Sequence, residues 1–156
     1  NYDSPEDPTD ATHNNYKFSI YCTYTVEAPA VSISVTPTSY DFGFLDLNSV
    51  SSTGTAGYFN ITNEGTGDIN LTIKSSNATD GTNIWVLAET NGPDQYTLQQ
   101  STNGTDWYYV TLSESTLATY VGASENVTMD LKITTPTSTQ SYQKYNFTVT
   151  IRGVAA

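Results

Sequence analysis

Side chains able to do acid–base or nucleophilic chemistry are scarce in this chain. It holds one histidine, His13, and one cysteine, Cys22, and neither has a second His or Cys at metal-ligand spacing. No G-x-S-x-G elbow, H-E-x-x-H pair, phosphate-cradling glycine loop or C-x-x-C occurs. Carboxylates outnumber cationic side chains 16 to 5. They are nevertheless scattered over different turns and strands, and no two are placed across a cleft as an acid/base pair requires. The expectation is a protein that is not an enzyme, with no cofactor and no metal. Asp3, Glu6, Asp7 and Asp10 crowd the first ten residues. They read as a solvated acidic arm, the first place to look for a bound cation.

The chemistry the chain does offer is attachment. Asn60, Asn70, Asn77, Asn103, Asn126 and Asn146 each open an N-x-T triplet, the acceptor pattern for a glycan on the side-chain amide. Asn60, Asn70 and Asn146 fall on the outward phase of alternating segments, and Asn77 and Asn103 fall in loops. All six are candidate glycosylation sites. The aromatic cluster Trp107-Tyr108-Tyr109 and Trp85 invite a second reading, a platform on which sugars stack. Trp85 sits in the apolar run 84–87 and is expected in the core of a central strand. Trp107 shares a face with Tyr109, and Tyr108 with Val110, so one of these pairs is expected to be buried.

The elements that must carry these groups are strands. Residues 16–26 alternate without a break: Tyr16, Phe18, Ile20, Cys22, Tyr24 and Val26 face one way, and Lys17, Ser19, Tyr21, Thr23 and Thr25 the other. The following Glu27-Ala28-Pro29-Ala30 has no Gly or Asn to reverse the chain, and Pro29 biases Ala28 towards extended geometry. Val31 to Val35 then alternates at once. Two strands joined without a turn do not form a hairpin, so the first must pair elsewhere, in a second sheet of its own domain or in another molecule.

Downstream, short strands are expected at Val31–Val35, Tyr40–Phe44, Gly57–Thr62, Ile69–Ile73, Ile84–Leu87, Tyr96–Gln99, Trp107–Leu112, Val127–Ile133 and Tyr145–Ile151. Leu117–Val121 is expected as a weak strand or crossover, and Asn48–Gly54 as a polar loop. Asn103-Gly104 supplies the strongest hairpin signal. About eight strands with Pro or Gly at the breaks imply an all-β fold, an antiparallel β-sandwich. Residues 1–15 form the arm, 16–28 the N-terminal strand and linker, and 29–156 the sandwich domain.

Composition agrees with a β-protein on display. Ser, Thr and Asn make up about a third of the chain, charged residues 13%. A net charge of −11 repels phosphate backbones and argues against nucleic-acid binding. No apolar run approaches the length of a membrane-spanning helix. The start at Asn1 without a Met is expected of a processed, secreted form. One cysteine leaves no intrachain disulfide, so the fold rests on its core.

The stretch Val35-Thr-Pro-Thr-Ser-Tyr-Asp-Phe-Gly43, then Gly57-Tyr-Phe-Asn-Ile-Thr-Asn-Glu-Gly65 and Ile69-Asn-Leu-Thr-Ile73, resembles the opening of extracellular immunoglobulin-like surface domains. Val127 to Pro136 and Tyr145 to Ile151 resemble their closing strands. With the N-terminal strand added, the chain resembles subunits of archaeal extracellular filaments of the thread and bundling-pilus type, and more distantly the TasA and camelysin family. The resemblance implies an immunoglobulin-like β-sandwich with an N-terminal extension strand. It implies a homopolymer in which Tyr16, Phe18, Ile20, Cys22, Tyr24 and Val26 enter the next copy, on the cell surface and in contact with other surfaces or cells. The alternative reading is a self-contained adhesin or S-layer-type module, its first strand crossing between its own two sheets.

Overall fold

The computed structural model describes residues 30–156. The acidic arm, His13 and the alternating segment 16–26 with its six apolar positions lie outside the described residues. Within them the chain forms eleven strands and no helix: β1 (Ile33–Thr36), β2 (Val50–Ser52), β3 (Phe59–Asn63), β4 (Ile69–Ser75), β5 (Ala78–Thr79), β6 (Ile84–Leu87), β7 (Gln95–Ser101), β8 (Tyr108–Tyr109), β9 (Ser115–Val121), β10 (Asn126–Thr134) and β11 (Val149–Ala155). The all-β expectation holds. β1, β3, β10, β7, β6 and β5 are neighbours in that order in an eight-stranded sheet, with β2 beside β10 and β8 beside β7. β11, β4 and β9 make a separate three-stranded sheet. The pairings are antiparallel except β6 with β7, which is parallel.

Alternation in the sequence sets these faces. Along β4, Ile69, Leu71, Ile73 and Ser75 are buried, while Asn70, Thr72 and Lys74 are half-exposed. β10 is the longest strand at nine residues, and Met129, Leu131 and Ile133 point inward from it. It pairs with β3 along Asn126–Met129 and with β2 along Lys132–Thr134. Asp130 occupies the gap where one partner hands over to the other. Its buried carboxylate accepts from Thr53 Oγ1 (3.0 Å), the Gly57 amide (2.7 Å) and the Tyr58 amide (2.9 Å). Gly57 is at φ 79°, and a Cβ there would overlap Thr128, so this joint admits only glycine without rearrangement.

The inner faces of the two sheets share one core, with Ile61, Tyr96, Leu98 and Val110 from the large sheet's side against Ile69, Leu71, Ile73 and Leu117. Asn63, also buried, ties the sheets at one end. Its amide donates to the carbonyls of Gly67, Val121 and Gly122, and its oxygen accepts from Gly65.

Several sequence expectations need correcting. Tyr40–Phe44 forms no strand, because Asp41 Oδ1 accepts the Gly43 amide at 2.9 Å and Gly43 turns at φ 72°. Asn48–Gly54 is not wholly loop, since β2 lies within it. Leu117–Val121 belongs to a full strand, β9. The closing run forms strand only from Val149, and the backbone of Tyr145–Phe147 pairs only through an isolated bridge between Asn146 and Thr79 among the described residues. β6 lies between β7 and β5 but is not a buried strand: Ile84 and Val86 are exposed, and Trp85 is half-buried rather than in the core. Val110 is buried, yet Tyr108 and Tyr109 both stay exposed, because β8 is a two-residue strand paired only with β7 among the described residues.

An open apolar cleft beside β11

Three strands cannot cover an eight-stranded sheet, and the mismatch leaves a cleft of about 1420 Å³. Its floor is the inner face of the large sheet at Phe59, Met129, Leu131 and Ile133. One side is formed by Val149 and Ile151 of β11, and two strandless segments, 37–47 and 139–148, flank it. Small-molecule sites usually enclose about 300–1,000 Å³, so this space is large for such a ligand.

β11 exposes the mismatch residue by residue. On β4, inward-facing Ile69, Leu71 and Ile73 are 1%, 1% and 0% exposed. On the adjacent β11, inward-facing Val149 and Ile151 remain only half-buried. β11 pairs with β4 alone, through seven consecutive residues in unbroken register from Val149↔Ser75 to Ala155↔Ile69. Its other edge has no strand beside it among the described residues. The opposite edge of the same sheet is different. β9 slips register twice against β4, and Tyr120 sits at φ 53°, features that spoil an edge for further pairing.

The flanking segments are held to each other and to the body. Lys144 Nζ lies 2.9 Å from Asp41 Oδ2, and Phe42 stacks on Phe147 with ring centroids 6.4 Å apart. The Lys144 ammonium beside Asp41 holds that carboxyl below its usual range. Trp85 stacks on Tyr145 at 4.0 Å and donates from Nε1 to Thr139 Oγ1 at 2.8 Å, so it serves the cleft wall. The backbone and side-chain amides of Gln140 hold Asp94 low, and the side-chain and backbone amides of Asn83, with the Thr82 backbone amide, do the same for Asp80. Phe44 is fully exposed on one flank and Tyr142 is 82% exposed on the other. Burial raises the Tyr96 phenol, which donates to the Ser76 carbonyl at 2.6 Å.

The cleft was not among the features read from the sequence, though Val149 and Ile151 belong to a run that was. The chain enters the described domain at Ala30. Its amide donates to Thr66 Oγ1 and its carbonyl accepts the Thr66 amide, at the β3–β4 turn. Val31 and Ile33 then pack over Gly153, closing the two sheets at that end of β11.

The six N-x-T asparagines separate by what their side chains already do. Asn103 is consumed by its own turn: its oxygen accepts the Thr105 and Asp106 amides, and its amide donates to Asp106 Oδ2 at 2.7 Å. Asn126 donates to Asn60 Oδ1 at 2.6 Å across the outer face of β3 and β10. Asn70 accepts the Tyr120 amide at 3.1 Å, and Asn77 accepts the Leu87 amide at 2.9 Å. Asn146 is exposed and borders the cleft. Among the described residues no three His, Cys, Asp or Glu side chains gather as a metal-ligand set. Among the same residues no helix is long and apolar enough to cross a membrane, which leaves strand-built spans unaddressed. Compared with family models, curated proteins and solved structures, the chain matches none.

Proposed function

We propose that this chain is the subunit of an extracellular homopolymer, and that residues 16–26 of one copy fill the cleft beside β11 of the next. The carrying observation is the half-buried inner face of β11 next to a fully buried β4. A strand laid along the free edge of β11 extends the small sheet to four strands and lies over the half-buried inner side of Val149 and Ile151. Backbone bonds of that added strand supply affinity, and alternate side chains supply register. Tyr16, Phe18, Ile20, Cys22, Tyr24 and Val26 have the required period and polarity. Completed in this way, the two layers become an immunoglobulin-like β-sandwich.

A copy differs from self-filling in the link it needs. To occupy its own cleft, the segment would have to reverse within Glu27-Ala28-Pro29, immediately before Ala30 anchors at the β3–β4 turn. Those three residues lack the positive-φ formers that tight reversals use. Head-to-tail donation needs no reversal, and it propagates as an open filament.

The chain brings its own probe, because Cys22 is its only cysteine. Ile151→Cys and Val149→Cys, each introduced singly, should give an oxidation-dependent ladder of dimers, trimers and longer species on non-reducing gels. Cys22→Ser should abolish it. A compact cross-linked monomer would assign the strand to its own domain and favour the solitary surface module. Absence of any cross-link at either position would remove β11 as the acceptor.

A further inference from the structure

We propose that Asn70 carries an N-linked glycan whose first sugar packs on the ring of Tyr120. This rests on the extracellular setting proposed above, and it specifies one modification site. Tyr120 has φ 53°, a left-handed conformation that bulky side chains rarely adopt and that Gly or Asn would adopt at little cost. Tyr120 is 73% exposed on an edge strand, so among the described residues packing gives no reason for a strained tyrosine there. Its backbone amide donates to Asn70 Oδ1 at 3.1 Å, within the stretch where β4 and β9 slip register. That bond fixes the carboxamide and leaves Nδ2, the atom that receives a sugar, without a partner among the described residues.

The other asparagines lack this combination. Asn103 uses both side-chain atoms within its turn, and Asn126 spends its amide on Asn60. Asn77 has a similarly held oxygen but no exposed aromatic holding it, since its partner is the Leu87 amide. The exposed Tyr120, whose backbone amide fixes the Asn70 carboxamide, supplies an aromatic face suited to the apolar C–H face of a pyranose. Attachment requires a separate transferase and a glycosyl phosphate donor. The Nδ2–C1 bond forms, the C1–O bond of the donor breaks, the leaving phosphate keeps the bonding pair, and the amide proton passes to a base.

Glycopeptide mass spectrometry of protein from its natural source should find Asn70 occupied and Asn103 bare. Thr72→Ala destroys the acceptor triplet while leaving the Asn70–Tyr120 bond in place. In a glycosylating host it should lower Tm by about 3 °C more than in a non-glycosylating host, where only the Thr72–Glu114 hydrogen bond is lost. In a Tyr120→Gly background that difference between hosts should vanish, although the unmodified Tyr120→Gly chain should itself be at least as stable as wild type. A bare Asn70 on an otherwise glycosylated chain overturns the proposal, as does an undiminished difference between hosts without the Tyr120 ring. A chain bare at every site overturns it together with the glycoprotein reading, while the Cys22 cross-linking test of polymerisation stands apart from either result.

Discussion

Replacing Asp130 with alanine should be among the most damaging single changes outside the apolar core, and its cost can be assembled from the bonds it makes. The carboxylate accepts two backbone amides, Gly57 at 2.7 Å and Tyr58 at 2.9 Å, and the Thr53 hydroxyl at 3.0 Å. Hydrogen bonds to a charged acceptor contribute about 1.5–3 kcal/mol each, and a neutral hydroxyl about 1 kcal/mol. Water reaches part of the vacated joint, because Gly57 is half-exposed, so the expected loss is about 3–5 kcal/mol rather than the full sum. That is a large part of the roughly 5–15 kcal/mol that holds a domain folded. Thr53→Ala should cost less, about 1–3 kcal/mol, since the Gly57 and Tyr58 amides keep their acceptor and only the Leu131 amide loses Thr53 Oγ1. Urea unfolding of the dilute full-length chain, followed by tryptophan emission, reads both. The same joint sets Phe59, Met129 and Leu131 on the cleft floor, so under the proposed assembly Asp130→Ala should also lower the yield of polymer. A loss below about 1 kcal/mol would show that water serves the two amides equally well, and would refute the pinning role given to Asp130.

Acid should weaken the fold through Asp80, Asp94 and Asp41. Each carboxyl is held below its ordinary value of 3.8 when folded, so its stabilisation is present above that value and is lost as pH falls through the folded one. The thermal midpoint should therefore be level near neutrality and decline below about pH 4, and Asp80→Asn should flatten part of the decline. Gly65→Ala should loosen the root of the N-terminal segment, because its Cβ would collide with the Ala30 carbonyl. Limited proteolysis near residue 30 should speed up while the unfolding midpoint moves less than in Asp130→Ala; an unchanged cleavage rate would show that Ala30 is held by other means.

Where strands pair through long, strictly alternating runs, they were legible. β4 and β10 were expected close to their observed positions because their inward residues are apolar at every second step. Tyr40–Phe44 and Tyr145–Phe147 alternate just as well, yet remain strandless. Alternation reports an extended habit, whereas a strand also needs a neighbour with free backbone groups, and these two segments instead meet through Phe42 on Phe147 and Lys144 on Asp41. The cleft was illegible for the same reason. It arises from an unequal number of strands in two layers, a property of long-range pairing rather than of any local pattern. Trp85 was misplaced because an apolar run looks alike in a core strand and in one that lines an open wall. The asparagine triplets could be read as a set, but only side-chain bonding separates Asn70 from Asn103.

The unbroken seven-residue register of β11 has a mechanical consequence. Ladder bonds stand perpendicular to the strands they join. A strand added along this edge and pulled lengthwise would load all those bonds together, in shear, whereas peeling from one end would break them one at a time. The bulged edge of β9 could offer no such line of simultaneous resistance. A fibre built through β11 would therefore be strongest against tension along the inserted strand, the direction in which a tether is pulled by flow.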